Sequence, residues 1–358
     1  MTKIMKKLIL FLLILISAVG CSNDPISFPD YDYSAVYFPY QFPVRTITFG
    51  EDIFDNTLDL QGKCEIMCAL GGVYENKQDR IIDIEIADTI ASGYNFTGTT
   101  RAIRAMPRNY YTLASNQIII KKGTISGGVQ VQLTDAFFAD PLATANNYVI
   151  PLLMTNVTNA DTILKGKPIV VGSKPRRLNG SRWDIRAKDY VLYAVKYINT
   201  WHGQYLRRGR DIYSGNKVAT TVRRPVDVVT YDASAADSQK WVFPLTTQSL
   251  SVLRFPITFQ DNSNPVQNYN CVLNLSFDQD NNCTITSSDP SAYTATGTGK
   301  FVKKGEKKSF GGLDRDVLYL DYTINHIGKG ITTQTKDTLV MRNRGVVMEQ
   351  FTPVLAPL

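Results

Sequence analysis

The chain has 358 residues, of which 44% are hydrophobic and 11% aromatic, and its 39 basic and 32 acidic residues leave a net charge of +7. This composition is ordinary for a globular protein and excludes a disordered or fibrous one. The basic residues occur in short scattered runs, without the basic stripe and interleaved aromatic residues of single-strand binders, so nucleic acid is not an expected partner.

The N-terminal segment 1–21 has the pattern of a lipoprotein signal peptide. Three lysines precede the apolar run 8–16, which is shorter than the ~20 apolar residues that a transmembrane helix needs. Small residues then precede Cys21, an arrangement that resembles the bacterial lipobox, although Ala18 stands where Leu is usual. The resemblance implies that Cys21 carries palmitate-type acyl chains and anchors the protein to the outer membrane, on its surface or periplasmic face. The alternative is an ordinary cleaved signal peptide.

Composition predicts two domains after the signal. Residues 22–32 are polar and contain proline, which predicts a flexible tether. The remaining length favours two or three domains over one. A polar stretch at 166–181, rich in lysine, arginine and glycine, separates two more apolar regions and places the expected domains at 33–170 and 171–358.

The first domain shows the pattern of an antiparallel β-sandwich. Ile82, Ile84 and Ile86 alternate with acidic residues, the period-2 pattern of a half-buried strand. One short helix is expected at 134–145. The strands recur about every ten to fifteen residues with Gly, Asn and Asp between them, which predicts an all-β, Ig-like sandwich. Its further predicted strands are 118–120, 129–133 and 148–154.

The second domain shows about eight sequential strands joined by short turns, which predicts an up-and-down meander closed into a β-barrel without edges. The segment 190–198 has a spacing that fits either a short helix or a strand. The predicted strands are 203–206, 226–229, 241–243, 250–259, 271–277, 284–286, 293–302, 318–324 and 339–341.

The cysteines beyond Cys21 do not form a disulfide framework. Cys64 and Cys68 lie four residues apart on one face of a predicted strand, about 13 Å from each other and beyond disulfide reach. Cys271 and Cys283 flank a predicted hairpin and would meet only if the register placed them opposite each other. We expect all four to be small buried hydrophobic residues.

Particular segments of both halves resemble a family of surface lipoproteins from gut Bacteroidetes. In the N-terminal half these are 106–113 (Met-Pro-Arg-Asn-Tyr-Tyr-Thr-Leu), 118–123, 127–129 and 147–152; in the C-terminal half it is 196–209. The resemblance implies an N-terminal β-sandwich domain followed by a calycin-like, lipocalin-related barrel. Such proteins accompany outer-membrane glycan-uptake proteins, and the resemblance implies an accessory glycan-binding or adhesion role.

The sequence carries no recognisable signature of catalysis or of metal binding. His202 and His326 are isolated from each other and from spaced ligands, so no metal site is expected. The sequence contains no nucleophile elbow, phosphate loop or dinucleotide fingerprint. The segment 278–282 resembles the start of a calcium loop, but Cys283 replaces the required glycine, which favours a polar hairpin turn. We therefore expect no enzyme activity, catalytic residue or cofactor, although the sequence does not exclude a pair of hydrolytic carboxylates.

Aromatic residues are the best sequence indication of a binding site, because sugar rings stack on flat aromatic faces while polar groups bind the hydroxyls. The candidate ligand-binding residues are Trp183, Trp201, Tyr205 and Trp241. The competing interpretation is core or rim packing, and Trp201 in particular has the position of a barrel-floor residue. The aromatic residues between 31 and 42 are expected to be a first strand that covers the sandwich.

The sequence therefore predicts a non-enzymatic, membrane-anchored lipoprotein that binds glycan, with the barrel as the binding domain. Two alternatives remain open. One is a lipid or small apolar ligand inside the barrel, which an open cavity would favour and a barrel filled by its own side chains would exclude. The other is adhesion to a protein partner, which a large exposed apolar patch would favour.

Overall fold

The computed structural model describes residues 31–223, 241–261, 263 and 265–357. The signal segment 1–21 with Cys21, the tether residues 22–30 and the predicted strand 226–229 lie outside the described residues. Within the described ranges the protein is nearly all β, with only two short α-helices, α1 (Thr57–Leu60) and α2 (Asp135–Ala139). The predicted helix at 134–145 is therefore present as α2, followed by a 3-10 turn at Pro141–Thr144.

The strands are numbered in chain order. The N-terminal half contains β1 (Ala35–Tyr37), β2 (Pro43–Thr48), β3 (Lys63–Gly71), β4 (Arg80–Ile86), β5 (Tyr94–Phe96), β6 (Arg104–Ala105), β7 (Tyr111–Leu113), β8 (Gln117–Ile120), β9 (Ser126–Leu133), β10 (Tyr148–Thr158), β11 (Thr162–Ile163), β12 (Lys167–Pro168), β13 (Trp183–Ile185) and β14 (Tyr190–Ile198). The C-terminal half contains β15 (Gly203–Gly215), β16 (Ala219–Arg223), β17 (Val242–Thr247), β18 (Val252–Gln260), β19 (Asn268–Phe277), β20 (Asn282–Ser287), β21 (Tyr293–Ser309), β22 (Leu313–His326), β23 (Ile331–Asn343), β24 (Glu349–Gln350) and β25 (Pro353–Leu355).

Two sheets form the N-terminal sandwich, as predicted. One has the order β11-β1-β3-β9-β7; the other has the order β24-β2-β14-β10-β4-β8, with β6 paired to β10. Their inner faces share one core, in which Cys64, Ile66, Ile82, Ile150 and Val195 are at most 1% exposed. The sheets are not purely antiparallel, because β1 with β11, β2 with β14 and β6 with β10 run parallel.

The strand β14 belongs to the sandwich, whereas the expected boundary at residue 171 placed it in the second domain. It pairs antiparallel with β10 and parallel with β2, between which it lies. The change from sandwich to barrel therefore falls between Ile198 and Gly203. The chain also returns to the sandwich after the barrel, where β24 pairs with β2 and β25 pairs with β5. Phe351 of this returning segment packs against the outer face of the sheet.

The C-terminal half is a closed eight-stranded β-barrel, as predicted. Strands β17 to β23 are each antiparallel to the next, and β15 pairs with both β17 and β23, which closes the barrel. β16 is an additional strand that pairs with the distal part of β15. Closure pairs the strand edges that an open meander would expose.

Arg344 joins the two domains. Its guanidinium donates to four backbone carbonyl oxygens: Phe49 at 2.8 Å, Glu51 at 3.2 Å, Asn199 at 2.6 Å and His202 at 2.7 Å. These carbonyls belong to the sandwich and to the segment that connects it with the barrel, and Arg344 itself directly follows the last barrel strand, β23. One buried side chain therefore holds the two domains together at the joint.

Candidate functional site

The interior of the barrel is filled by its own side chains. Large residues from several of its strands meet there and are at most 3% exposed, among them Tyr205, Phe255, Phe259, Leu275 and Leu320. A ligand-sized void would leave its lining accessible to a water-sized sphere, and these residues are not accessible. In the described part of the barrel, the packing argues against an apolar ligand inside it.

Four charged side chains lie inside the barrel, and each is at most 4% exposed. Arg207 Nε donates to Asp337 Oδ2 at 2.9 Å, and Arg223 donates to Asp337 Oδ1 at 2.7 Å and to both oxygens of Asp211. The hydroxyl of Tyr322 donates to Asp337 Oδ2 at 2.8 Å. Two cations and two anions thus compensate one another, the arrangement in which buried charges are tolerated.

The buried network keeps both Tyr322 and Arg207 protonated. Burial, and then the charge of Asp337, raises the pKa of Tyr322 well above its usual value, so the phenol stays protonated. Burial opposes the charge of Arg207, but Tyr322, Asp337 and Asp211 together keep its pKa above the usual range. Gly209 allows this packing, since a Cβ there would lie 2.5 Å from Asp337 Oδ1.

The structure places the four predicted ligand-binding residues in three locations. Trp201 and Tyr205 are buried at one end of the barrel, where Trp201 stacks on Phe277 at 4.0 Å between ring centroids and the Tyr205 hydroxyl donates to Trp201 O at 2.6 Å. Trp183 lies half-buried on β13 of the N-terminal half. Trp241 is half-buried on the outer face of the barrel. These residues therefore do not converge on one aromatic site.

His202 lies at the domain joint and is neutral in the folded protein. Its Nδ1 accepts from Thr247 N at 3.0 Å. Burial, assisted by the positive charges of Arg344 and Lys196, lowers the pKa of His202 to about 4. An unfolded histidine has a pKa of about 6.5, so the unfolded state takes up the proton first as the pH falls.

Acid should therefore destabilise the protein through His202. The stabilising contribution is complete above about pH 6.5 and is lost as the pH falls towards 4, by up to about 3 kcal/mol. Urea unfolding at pH 7 and pH 4.5 measures it. His202→Asn retains an acceptor for Thr247 N and should reduce the pH dependence. An unchanged pH dependence in this variant would show that other groups cause the acid destabilisation.

The four described cysteines are free and buried, as predicted. Burial raises the pKa of each thiol to about 12, which keeps it protonated and unreactive. Cys271 lies opposite Ile257 and Cys283 opposite Phe277, so the register does not bring these cysteines together. The described residues contain no cluster of metal-ligating side chains, and no helix in these ranges is long and apolar enough to cross a membrane.

The calcium-like segment 278–282 is a polar hairpin turn. The carboxylate of Asp278 accepts from the backbone N–H groups of Asp280 and Asn282, each at 2.9 Å. Asn281 adopts a positive φ of 63°, which asparagine tolerates in tight turns. The carboxylate that would serve as a first ligand therefore caps its own turn.

A surface groove beside β1 combines aromatic and charged side chains. We call it the tyrosine groove; it has a volume of about 760 Å³ and is lined by Tyr33, Tyr37, 161–167, 185–186 and Lys188. Tyr33 is 56% exposed. The ring of Tyr37 lies beside Gly71, where a Cβ would approach it to 3.2 Å, and Lys188 Nζ lies 5.5 Å from its centroid. Of the described grooves, this one combines exposed aromatic surface with several hydrogen-bonding side chains.

Positive charge dominates the tyrosine groove. Its carboxylate, Asp161, accepts from Ser34 N at 2.7 Å and Ser34 Oγ at 2.6 Å, and these hydrogen bonds lower the pKa of Asp161. Lys167 pairs with Asp184 at 2.7 Å. Lys165 and Arg186 have no carboxylate partner among the described residues. The groove therefore offers flat apolar surface together with cationic donors.

The sequence did not identify this groove. Tyr33 and Tyr37 were expected to cover the sandwich, and the polar stretch at 166–181 was interpreted only as a domain boundary. Within 31–42, Phe38 is fully buried, whereas Tyr31, Tyr33 and Tyr40 are exposed. The sequence did contain one signal, the number of tyrosines between residues 31 and 42. The inward face of the three-residue strand β1 is too short to bury all of them, so some must be exposed.

A sandwich joined to a filled, closed barrel defines a two-domain all-β protein whose candidate site lies on its surface. A family model described as a domain of unknown function, DUF5627, matches residues 200–345, and a model described as an N-terminal domain matches residues 31–161. The first match begins where the structure changes from sandwich to barrel. Among curated proteins, none matches the chain.

Solved structures from Bacteroides ovatus resemble this chain. One, of unknown function, is 41% identical with a TM-score of 0.83, over 91% of this chain and 100% of that chain. The chain therefore belongs to the same family as that protein, a family with a sandwich and a DUF5627 barrel. A second protein of unknown function is 14% identical (TM-score 0.39, 89% and 99% coverage). Another, named as a candidate carbohydrate-binding protein, is 11% identical (TM-score 0.25, 90% and 100% coverage). These two low scores carry no argument about function.

Proposed function

We propose that the protein is a lipid-anchored, non-enzymatic envelope protein that binds carbohydrate in the tyrosine groove. The observation that carries the proposal is the exposed face of Tyr33 beside the cationic side chains of Lys165 and Arg186. Aromatic faces stack on the apolar side of a sugar ring, and charged donors bind its hydroxyl or acidic groups. The signal pattern ending at Cys21 motivates the anchor, and outer-membrane glycan-uptake proteins are the proposed neighbours.

The location of the groove favours glycan over an apolar ligand. It is open and carries several charged side chains beside its apolar surface, whereas the apolar space in the barrel is occupied by side chains of the protein itself. A saccharide remains partly hydrated when bound, so an open groove with few buried polar groups suits it. We therefore assign carbohydrate binding to the sandwich, whereas the sequence favoured the barrel.

The test is a glycan array followed by calorimetry on the chain from residue 22 onward, with Tyr33→Ala as the main variant. Loss of one stacking face should weaken binding about tenfold, which corresponds to about 1.4 kcal/mol. Tyr40→Ala is the matched control, since Tyr40 is 49% exposed and lies outside the groove. Its affinity should equal that of the unmodified chain.

Trp183→Ala and Trp241→Ala separate the tyrosine groove from the sites that the sequence predicted. If Trp241→Ala abolishes saccharide binding while Tyr33→Ala retains it, the site lies on the barrel and the assignment to the groove is wrong. If the unmodified chain binds no saccharide on the array, carbohydrate binding itself is contradicted.

A further inference from the structure

A hairpin beside the tyrosine groove projects an apolar tip into solvent. Strands β12 and β13 pair, and Ile169 N donates to Arg182 O at 3.0 Å, which extends the ladder towards the tip. The tip residues Ile169, Val170 and Val171 are 60%, 61% and 92% exposed. A turn in which Ser173 N and Oγ both donate to Val170 O holds these side chains outward. Three consecutive exposed aliphatic residues are unusual on a protein surface and indicate an interaction.

The segment around this tip has a strongly positive net charge. Residues 164–188 contain eight basic residues and one acidic residue, a net charge of +7, which equals the net charge of the complete chain. Lys165, Lys174 and Arg182 form no ion pair with any described residue. Such a concentration of unpaired cations beside an apolar tip is complementary to a lipid bilayer, which has anionic headgroups at its surface and an apolar interior.

The hairpin also lies next to the point where the chain leaves towards its N-terminus. Tyr33 lines the same groove as Lys165, Lys167 and Ile185. Cys21 precedes Tyr33 by only 12 residues, and an extended chain of that length spans at most about 40 Å. If Cys21 is acylated, the tether therefore keeps the hairpin within reach of the bilayer surface.

We propose that the hairpin tip and its flanking cations form a membrane-contact surface. Ile169, Val170 and Val171 enter the interfacial region of the bilayer, while Lys174 and Arg182 bind anionic lipid headgroups. Trp183 at the base of the hairpin lies where an amphipathic ring meets the headgroup region. The contact orients the sandwich on the membrane and does not depend on carbohydrate binding.

A lipid surface fits the hairpin better than a protein partner. A protein partner would need paired charges of both signs, whereas the charged side chains around this tip are almost entirely cationic. The exposed aliphatic side chains are confined to a single turn. Insertion of that one turn would reach only into the headgroup region of the bilayer.

Vesicle co-sedimentation of the non-acylated chain, from residue 22 onward, tests the proposal. Vesicles of phosphatidylcholine with about one third phosphatidylglycerol should bind the protein at least about tenfold more tightly than neutral phosphatidylcholine vesicles, and salt should weaken that binding. Val171→Asp and the double variant Lys174→Gln/Arg182→Gln should each reduce binding about tenfold. Circular dichroism confirms that each variant is folded, and the double variant changes only exposed polar groups.

Matched control variants lie on the barrel. Val218→Asp changes an 82% exposed valine, and Arg210→Gln/Arg254→Gln removes two exposed cations; both should bind vesicles as the unmodified chain does. Tyr33→Ala should also retain vesicle binding, which separates this proposal from the carbohydrate site. Equal binding to neutral and anionic vesicles, or equal losses in the barrel controls, would overturn the proposal. So would hairpin variants that still bind anionic vesicles normally.

Discussion

Replacing Asp337 with alanine is expected to lower the free energy of unfolding by about 3–5 kcal/mol. The carboxylate accepts from Arg207, Arg223 and Tyr322 inside the barrel. Without it, two buried guanidiniums share Asp211 as their remaining anionic partner among the described residues, and an uncompensated buried charge is strongly unfavourable. Urea unfolding monitored by circular dichroism measures the loss.

Asp321→Ala is the matched control for this prediction. Asp321 pairs with Lys336 at 2.9 Å on the outside of the same barrel, and both side chains are more than 60% exposed. Exposed pairs contribute at most about 1 kcal/mol, so this variant should unfold almost normally. The double variant Arg207→Met/Asp337→Leu should lose less stability than the two single variants added together, because it removes both partners of a pair. Strict additivity would contradict the coupling inferred from the geometry.

Replacing Arg344 with alanine is expected to lower the free energy of unfolding by about 3 kcal/mol. It should also weaken the contact between the two domains. Four backbone carbonyls would lose their charged donor, those of Phe49 and Glu51 in the sandwich and those of Asn199 and His202 in the connecting segment. Arg344→Lys should recover little, because one ammonium group does not reproduce the planar fork of the guanidinium. Unfolding in urea should change from one transition to two.

The control for the joint is Arg254→Ala, which removes an exposed arginine from the barrel wall. It should unfold in a single transition at nearly the normal urea concentration. Gly50→Ala provides an independent perturbation of the joint, because Gly50 has a φ of +86° and a Cβ there would lie 3.1 Å from Arg344 Nη1. If Arg344→Ala unfolds like the Arg254 control, the guanidinium does not hold the domains together.

Strands with one buried face were predictable. Ile82 and Ile84 are buried on β4 as their alternation indicated, and Leu318, Leu320 and Tyr322 all face the barrel interior. Alternation of this kind reports which side of a strand meets the core, and it does so without knowledge of the neighbouring strand. The succession of such strands was sufficient to predict a sandwich followed by a closed barrel.

The strand β14 was not predictable, for a physical reason. Its residues are buried on both faces, so its sequence shows no alternation and fits a helix equally well. Val191 and Val195 face the sandwich core, whereas Leu192 and Ala194 face the cluster that contains Phe351. The second covering comes from a segment more than 150 residues away, which no local pattern reveals.

The sequence by itself determined the all-β class, the succession of a sandwich and a barrel, the small buried cysteines and the polar turn at 278–282, because each depends on local periodicity or turn chemistry. Tertiary structure alone decided that the barrel is filled, that Arg207 and Asp337 meet inside it, and that Trp201 and Tyr205 are buried. It also decided that Tyr33 and Lys165 line the same open groove. These features depend on which distant strands pair and in which register, and side-chain exposure follows from that pairing rather than from residue type.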